Sequence, residues 1–387
     1  MTTGWALNRS LERLQLVADA SLDHRSLRTG VLAELGRVLP FDAFVWPLCD
    51  PATATGISPR AHVPCPEELP LLIRLKYLTR KGRWTQLAGT ASPVMSLLRG
   101  TGGDPSRSML WDGVLKRYGV KDVLSTVFDD KHGCWGWLDL WRVGEQGGFT
   151  SGEAAYLAAA VRVVTPAVRR SVARQFGLEV PELSLRPDDK PDIQPDIQSR
   201  GSSRNGGKRS SLPEQAVLTL DADMAVVGQT ASAGHWLELL QPGPRPYHGV
   251  PAEVLNVAAQ LLAREAGVDD HPASARVHIG SGIGSGRWAI LRASRMGSAS
   301  PGATPPLAVT IQECPAESRL DIFARSFGLT HRQRELLELA ATGADTAAMA
   351  VALGIGAYTV QDQFKQVFDN CGVHSRASLL AMALGTG

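Results

Sequence analysis

Cysteine is scarce. Cys49, Cys65, Cys134, Cys314 and Cys371 are the five in a chain of 387 residues. An odd number cannot all pair within one chain, none forms a C-x-x-C, and none lies at zinc-ligand spacing from a histidine. A disulfide framework and a structural zinc site are therefore not expected, and free, partly buried thiols are. Excess charge is also missing. Lys+Arg is 40 and Asp+Glu is 38, a net charge of +2. So even a balance gives no overall attraction to a polyanion, and any nucleic-acid role must rest on a local feature. No run approaches the roughly 20 uninterrupted apolar residues of a membrane-spanning helix. The most apolar stretch, Ala154 to Val172, is broken by Arg162, Pro166, Arg169 and Arg170. Met1 to Ser10 has no basic region leading into an apolar one, so no secretory signal is expected and the protein should be cytoplasmic. The catalytic signatures G-x-S-x-G and H-E-x-x-H and the phosphate-binding P-loop are missing too, so we expect neither an enzyme nor a metal site. No cofactor is identified. The Cys-Pro pairs at Cys65-Pro66 and Cys314-Pro315 could serve as haem thiolates or arise by chance among 24 prolines.

What is present is an ordinary globular balance, 44% hydrophobic and 20% charged. At roughly 150 residues per domain this predicts two to three domains. Residues 179–215 are rich in Pro, Asp, Ser, Gly and Arg, and repeat PDIQ. They cannot bury enough apolar surface to offset the entropy of ordering, so they read as a flexible linker. Its bases Arg200, Arg204, Lys208 and Arg209 could touch DNA phosphates or simply be solvated. We place boundaries at 1–176, 177–213, 214–314 and 315–387, and expect a multidomain α+β protein.

Before the linker, Leu11–Leu22 and Leu27–Leu39 read as amphipathic helices and Phe41–Leu48 as a strand. Leu69–Arg80 and Ser106–Tyr118 read as helices, with Val123–Asp129 and Cys134–Val143 as a strand pair. Thr150 with Glu153 forms a capping box for a helix to about Arg174. Its stripe Leu157, Val161, Val164, Val168 and Val172 suits either a dimer seam or packing on the domain's own sheet. After the linker come a strand pair (residues 216–229), helices near 232–240 and 251–266, and three strands ending at Glu313. The glycine-rich residues 280–286 lie between strands, with no helix to aim at a phosphate, so a loop is expected.

From Glu317 onward only helical patterns remain. Thr330 with Gln333 forms a capping box, and Asp345 and Ser375 suit helix N-caps. Gly354-Ile355-Gly356 makes a tight turn before a helix opening at Tyr358. This is a helix-turn-helix pattern. Leu329, Thr330, Arg332, Arg334, Glu335, Leu337, Leu339, Gly343, Ala350, Leu353, Ile355, Thr359, Val360, Gly372, Val373, Ser375 and Arg376 resemble, in register, the LuxR-type helix-turn-helix domain. The resemblance implies a four-helix module that binds double-stranded DNA, with Thr359–Asp369 as its recognition helix. The candidate DNA contacts are Thr359, Val360, Gln361, Gln363, Lys365 and Arg376. A glutamine amide can pair with adenine, and Lys365 with phosphate or guanine. The segment departs from the family pattern at Gln363, Asn370, His374, Ala348 and Met349. From Leu329 to Gly387 there are four bases and five acids, a net charge of −1. Phosphate neutralisation supplies much of DNA affinity, so a single module should bind weakly and a homodimer should be needed.

Upstream, the order of elements resembles a GAF domain, a six-stranded sensor fold, and residues 214–314 resemble a PAS-like sensor. These resemblances imply a small-molecule ligand, with Trp46, Cys49 and Trp135 as pocket candidates. On the strand from Cys134, alternation puts Trp135, Trp137 and Trp141 on one face. Three functions stay open: a one-component transcription regulator; a signalling or protein-interaction module whose helix-turn-helix has weak or no DNA binding; and, needing paired reactive cysteines, a thiol-dependent reductase.

Overall fold

The computed structural model describes residues 4–20, 23–145, 147–177, 212–241, 250–280, 287–297 and 305–385. Most of the linker (178–211) and residues 281–286 of the glycine-rich stretch lie outside the described residues.

The chain opens with α1 (Gly4–Ala20) and α2 (His24–Val38). Asp23 caps α2, its carboxylate accepting from the backbone N–H groups of Arg25 and Ser26. Then follow β1 (Ala43–Cys49), β2 (Gly56–His62), α3 (Leu69–Leu78), α4 (Trp84–Leu87), β3 (Val94–Ser96), α5 (Leu97–Gly100), α6 (Met109–Gly113), β4 (Val120–Asp130), β5 (Gly133–Val143) and α7 (Ser151–Ala173). The Thr150/Glu153 capping box opens α7, which runs through Pro166. After residue 211 come β6 (Ala216–Leu220), β7 (Val226–Gln229), α8 (Ala233–Leu240), α9 (Ala252–Glu265), β8 (Ser274–Ile279), β9 (Arg287–Arg295) and β10 (Leu307–Glu313). Five helices end the chain: α10 (Ala316–Ser326), α11 (His331–Ala341), α12 (Thr346–Leu353), α13 (Ala357–Cys371) and α14 (Arg376–Leu384).

Two five-stranded antiparallel sheets result, ordered β2-β1-β5-β4-β3 and β7-β6-β10-β9-β8. Both follow one plan: two strands, helices, then three strands, with the last strand paired beside the first. The first sheet has five strands among the described residues, where the resemblance implied six. Its edges are β2, covered by α9, and the three-residue β3, a length that limits further pairing. Two of its strands, β2 and β3, escape a sequence reading. β2 carries Pro59 and Arg60 with no apolar alternation, and exists because β1 pairs with it. The expected helix over Ser106–Tyr118 is instead two 3-10 turns around the short α6.

The two sheets share one core. Helix α9 packs on α3 and β2 of the first sheet and on β9, β8 and β10 of the second, and its apolar residues Val254, Leu255, Val257 and Ala258 are buried. Helix α7 lies across the first sheet and against α10. Its stripe Leu157, Val161, Val164, Val168 and Val172 is buried in these contacts, so of its two readings packing within the chain is the one the structure shows. Just beyond α7, Phe176 stacks on Trp288 of β9 at 4.8 Å and meets Phe323 of α10 edge-on at 5.3 Å.

Buried charge joins the same parts. Asp50, 1% exposed, accepts from Arg276 Nε at 2.7 Å and Nη2 at 2.6 Å, and the same guanidinium donates to Asp321 of α10 at 2.6 Å. Asp321 in turn accepts from Arg325 and from Arg334 of α11. Burial alone would raise the Asp50 and Asp321 pKa values, but Arg276 outweighs it and holds both below the ordinary carboxylate value. A second bridge links Arg83 to Asp269 at 2.8 Å, with both side chains almost fully buried.

Candidate nucleic-acid interface

The C-terminal helices are built by local signals that the structure keeps. Thr330 Oγ1 accepts from Gln333 N at 3.2 Å and Gln333 Oε1 from Thr330 N at 2.9 Å, so the capping box at α11 is closed. Gln333 Nε2 also donates to Gln366 Oε1 at 3.3 Å, tying α11 to α13. Asp345 caps α12 and Ser375 caps α14. Gly354 ends α12 at φ +63°, a left-handed turn that aims the chain into α13. Thr330→Ala should cost about 1 kcal/mol, read as a lowered thermal midpoint of the full chain.

Helix α13 has one apolar face, Val360, Phe364, Val367 and Cys371, all buried at helical spacing. Its other face is open to solvent. Thr359, Gln361 and Lys365 are exposed there, and Gln363 is half-buried. The spacing places Tyr358, Gln361, Asp362 and Lys365 on one stripe. Tyr358, 76% exposed, and Asp362 belong to that surface although the sequence reading passed over them. Their i, i+4 relation to the outward residues was the available signal.

Two candidates lie elsewhere. Val360 is 0% exposed and packs in the module's core, so it does not reach a base. Its place follows from the buried stripe: a residue four before Phe364 points where Phe364 points. Arg376 donates from Nη2 to the carbonyl oxygens of Ala344 at 2.5 Å and Ala340 at 3.3 Å, and lies over the Phe364 ring. It satisfies carbonyls at the end of α11.

Other charges of the module are engaged too. Arg332 bonds Glu335 and the Leu353 carbonyl that ends α12. Arg334 bonds Glu338 and Asp321. Of the four bases from residue 329 onward, Lys365 alone has no charge or hydrogen-bond partner among the described residues.

The upstream pocket candidates are all core residues. Trp46 is 0% exposed and stacks on Phe128 at 4.9 Å. Trp135 is the extra residue of a β-bulge, where Phe128 pairs with Gly136 and Asp129 with Cys134, and its Nε1 donates to Asp130. The bulge breaks the alternation that would have grouped it with Trp137 and Trp141. Cys49 meets Cys134 in the core, and burial with that neighbour pushes its thiol far up. Burial likewise raises Cys65 to about 11 and Cys314 and Cys371 to about 12. The thiolate is the nucleophile, so none of these four is set up for thiol chemistry. The cavity on the first sheet, about 660 Å³, is lined instead by Val45, Pro47, Trp137 and Trp141, neighbours of the candidates on the other face.

Among the described residues no three His, Cys, Asp or Glu side chains gather as a metal site, and no helix is long and apolar enough to cross a membrane. No curated protein matches the chain. Residues 328–383, which span α11 to α13 and nearly all of α14, match bacterial regulatory proteins of the luxR family, so the chain carries a luxR-family helix-turn-helix domain.

Proposed function

We propose that this chain is a cytoplasmic, one-component, sequence-specific DNA-binding transcriptional regulator acting as a homodimer. In this reading residues 1–176 form a GAF-like sensor, 177–213 a tether, 214–314 a PAS-like domain and 315–387 the LuxR-type DNA-binding domain. One observation carries it: α13 buries one face and offers Tyr358, Thr359, Gln361 and Lys365 on the other, within a luxR-family match. The sensor reading draws support from the order of elements after the tether, two strands, helices and then three strands, which is the order expected of a PAS-like domain.

The test is retention of sheared genomic DNA by the full-length protein at low and physiological salt, with sequencing of what is retained. A paired half-site motif is the expected result, its spacing giving the dimer geometry. Lys365→Ala should weaken binding to all sequences alike and reduce the log–log salt slope by about 1. Gln361→Ala should cost about 1–3 kcal/mol at one base position and relax the choice there. A second reading, a protein-interaction module, is favoured by the cations of the helix-turn-helix that are spent on its own carbonyls and carboxylates. Failure to retain DNA at either salt establishes that reading over the first.

A further inference from the structure

The 660 Å³ cavity is lined by two unlike sets of side chains. One is aromatic and aliphatic: Trp137, Trp141, Leu72 and Leu110 line it. Among the described residues the Nε1–H groups of Trp137 and Trp141 are buried and have no hydrogen-bond partner, so the rings rather than the N–H groups face the cavity.

The other set is cationic. Arg28, 2% exposed, donates to the carbonyl oxygens of Trp46 at 2.7 Å and Ser58 at 2.8 Å, and its Nη2 meets His24 Nδ1 at 2.9 Å. Among the described residues no carboxylate pairs with it. Burial pulls its pKa down to about 9, and Arg60 and Arg25, both on the cavity wall, add to the effect. A buried guanidinium in such a place is costly unless an anion joins it.

The remaining charged groups on the wall do not supply that anion. Asp139 is paired with Lys76 at 2.7 Å. Glu253 accepts from Ser58 N at 2.9 Å, and burial pushes its pKa up, towards the neutral acid. Burial drives His24 down to about 3, so it is neutral and adds no charge. His62 lies on the exposed rim.

We infer that this cavity binds an amphipathic organic anion, its acidic headgroup held by Arg28, Arg25 and Arg60 and its apolar or aromatic body lying against Trp137 and Trp141. The inference rests on the sensor reading above and names the ligand class for it. The volume lies within the range of small-molecule sites. The wall is made by both halves of the protein, since Glu253 and Asn256 of α9 complete it opposite β2. A ligand there touches the helix that joins the two sheets.

Isothermal titration calorimetry of the full chain with 1-naphthylacetate, indole-3-acetate and octanoate, each beside the corresponding alcohol, tests this. At least one anion should bind about tenfold or more tightly than its alcohol. Arg25→Ala with Arg60→Ala, both at the solvent-facing rim, should weaken that anion about tenfold and leave the alcohol and the melting temperature unchanged. Binding by none of the three anions, equal binding of anion and alcohol, or unchanged affinity in the double variant would each overturn the inference. DNA retention is measured on the same preparation. Retention without anion binding removes this inference and leaves the regulator; anion binding without retention leaves the cavity and removes the regulator.

Discussion

Arg276→Met is expected to lower the stability of the full-length protein by about 3–5 kcal/mol, because it strands the buried carboxylate of Asp50 and takes from Asp321 one of its three arginines. Arg276 is 7% exposed and bridges Asp50, after β1, to Asp321 of α10. Removing one partner of a buried pair costs more than the pair contributes, since the desolvated charge left behind has lost its counter-ion. Urea unfolding read by tryptophan fluorescence would measure the loss. A shift below 1 kcal/mol would mean that water reaches the bridge freely. The same pair sets a pH dependence. Both carboxylates have pKa values lowered on folding, so their contribution is present above the ordinary aspartate value of about 4 and is lost as pH falls through the depressed folded values. Stability should therefore fall on acidification below about pH 4, and Arg276→Met should flatten that fall. Stability that rose on acidification would contradict the assigned pairing.

Val360→Asp is expected to unfold the helix-turn-helix. Val360 is fully buried in the apolar core, and a carboxylate there would be desolvated among apolar side chains. An uncompensated buried charge costs several kcal/mol, comparable to the whole stability of a small domain. Circular dichroism should show a loss of helix of about the size of α11 to α14, while the tryptophans, all upstream of residue 289, report a core still folded. DNA retention should be lost through loss of fold. Gln361→Ala, one residue on and exposed, should leave helix content unchanged and alter sequence choice only. Loss of DNA binding by Val360→Asp with full helix content would instead make Val360 a direct contact.

Where a residue's neighbours in sequence determine its structure, the sequence was legible. The capping pairs Thr150/Glu153 and Thr330/Gln333, the caps Asp345 and Ser375, and the turn at Gly354 act within four residues, and each stands where it was read. Helical periodicity gave α13 its two faces, although the residue-type reading of Val360 overlooked that its own spacing from Phe364 assigns it to the buried one. The strand β2 was not legible, because its pairing partner rather than its side chains holds it extended. Nor was the cavity. Bulges at Trp135 and between Trp46 and Leu48 shift which residues face it, and a single unpaired residue exchanges the faces of a strand.

By itself, then, the sequence determined the long helices, their caps, the helix-turn-helix and the balance of charge, since these depend on short-range hydrogen bonds and on the spacing of apolar residues along one segment. Tertiary structure alone decided which charges remain free and which cavity exists. Arg276 meets Asp50 across 226 positions of chain, Arg376 turns to the carbonyls of Ala340 and Ala344, and among the described residues Arg28 is left without a carboxylate partner. Such pairings depend on which distant elements share a face, and no local pattern of residues encodes that.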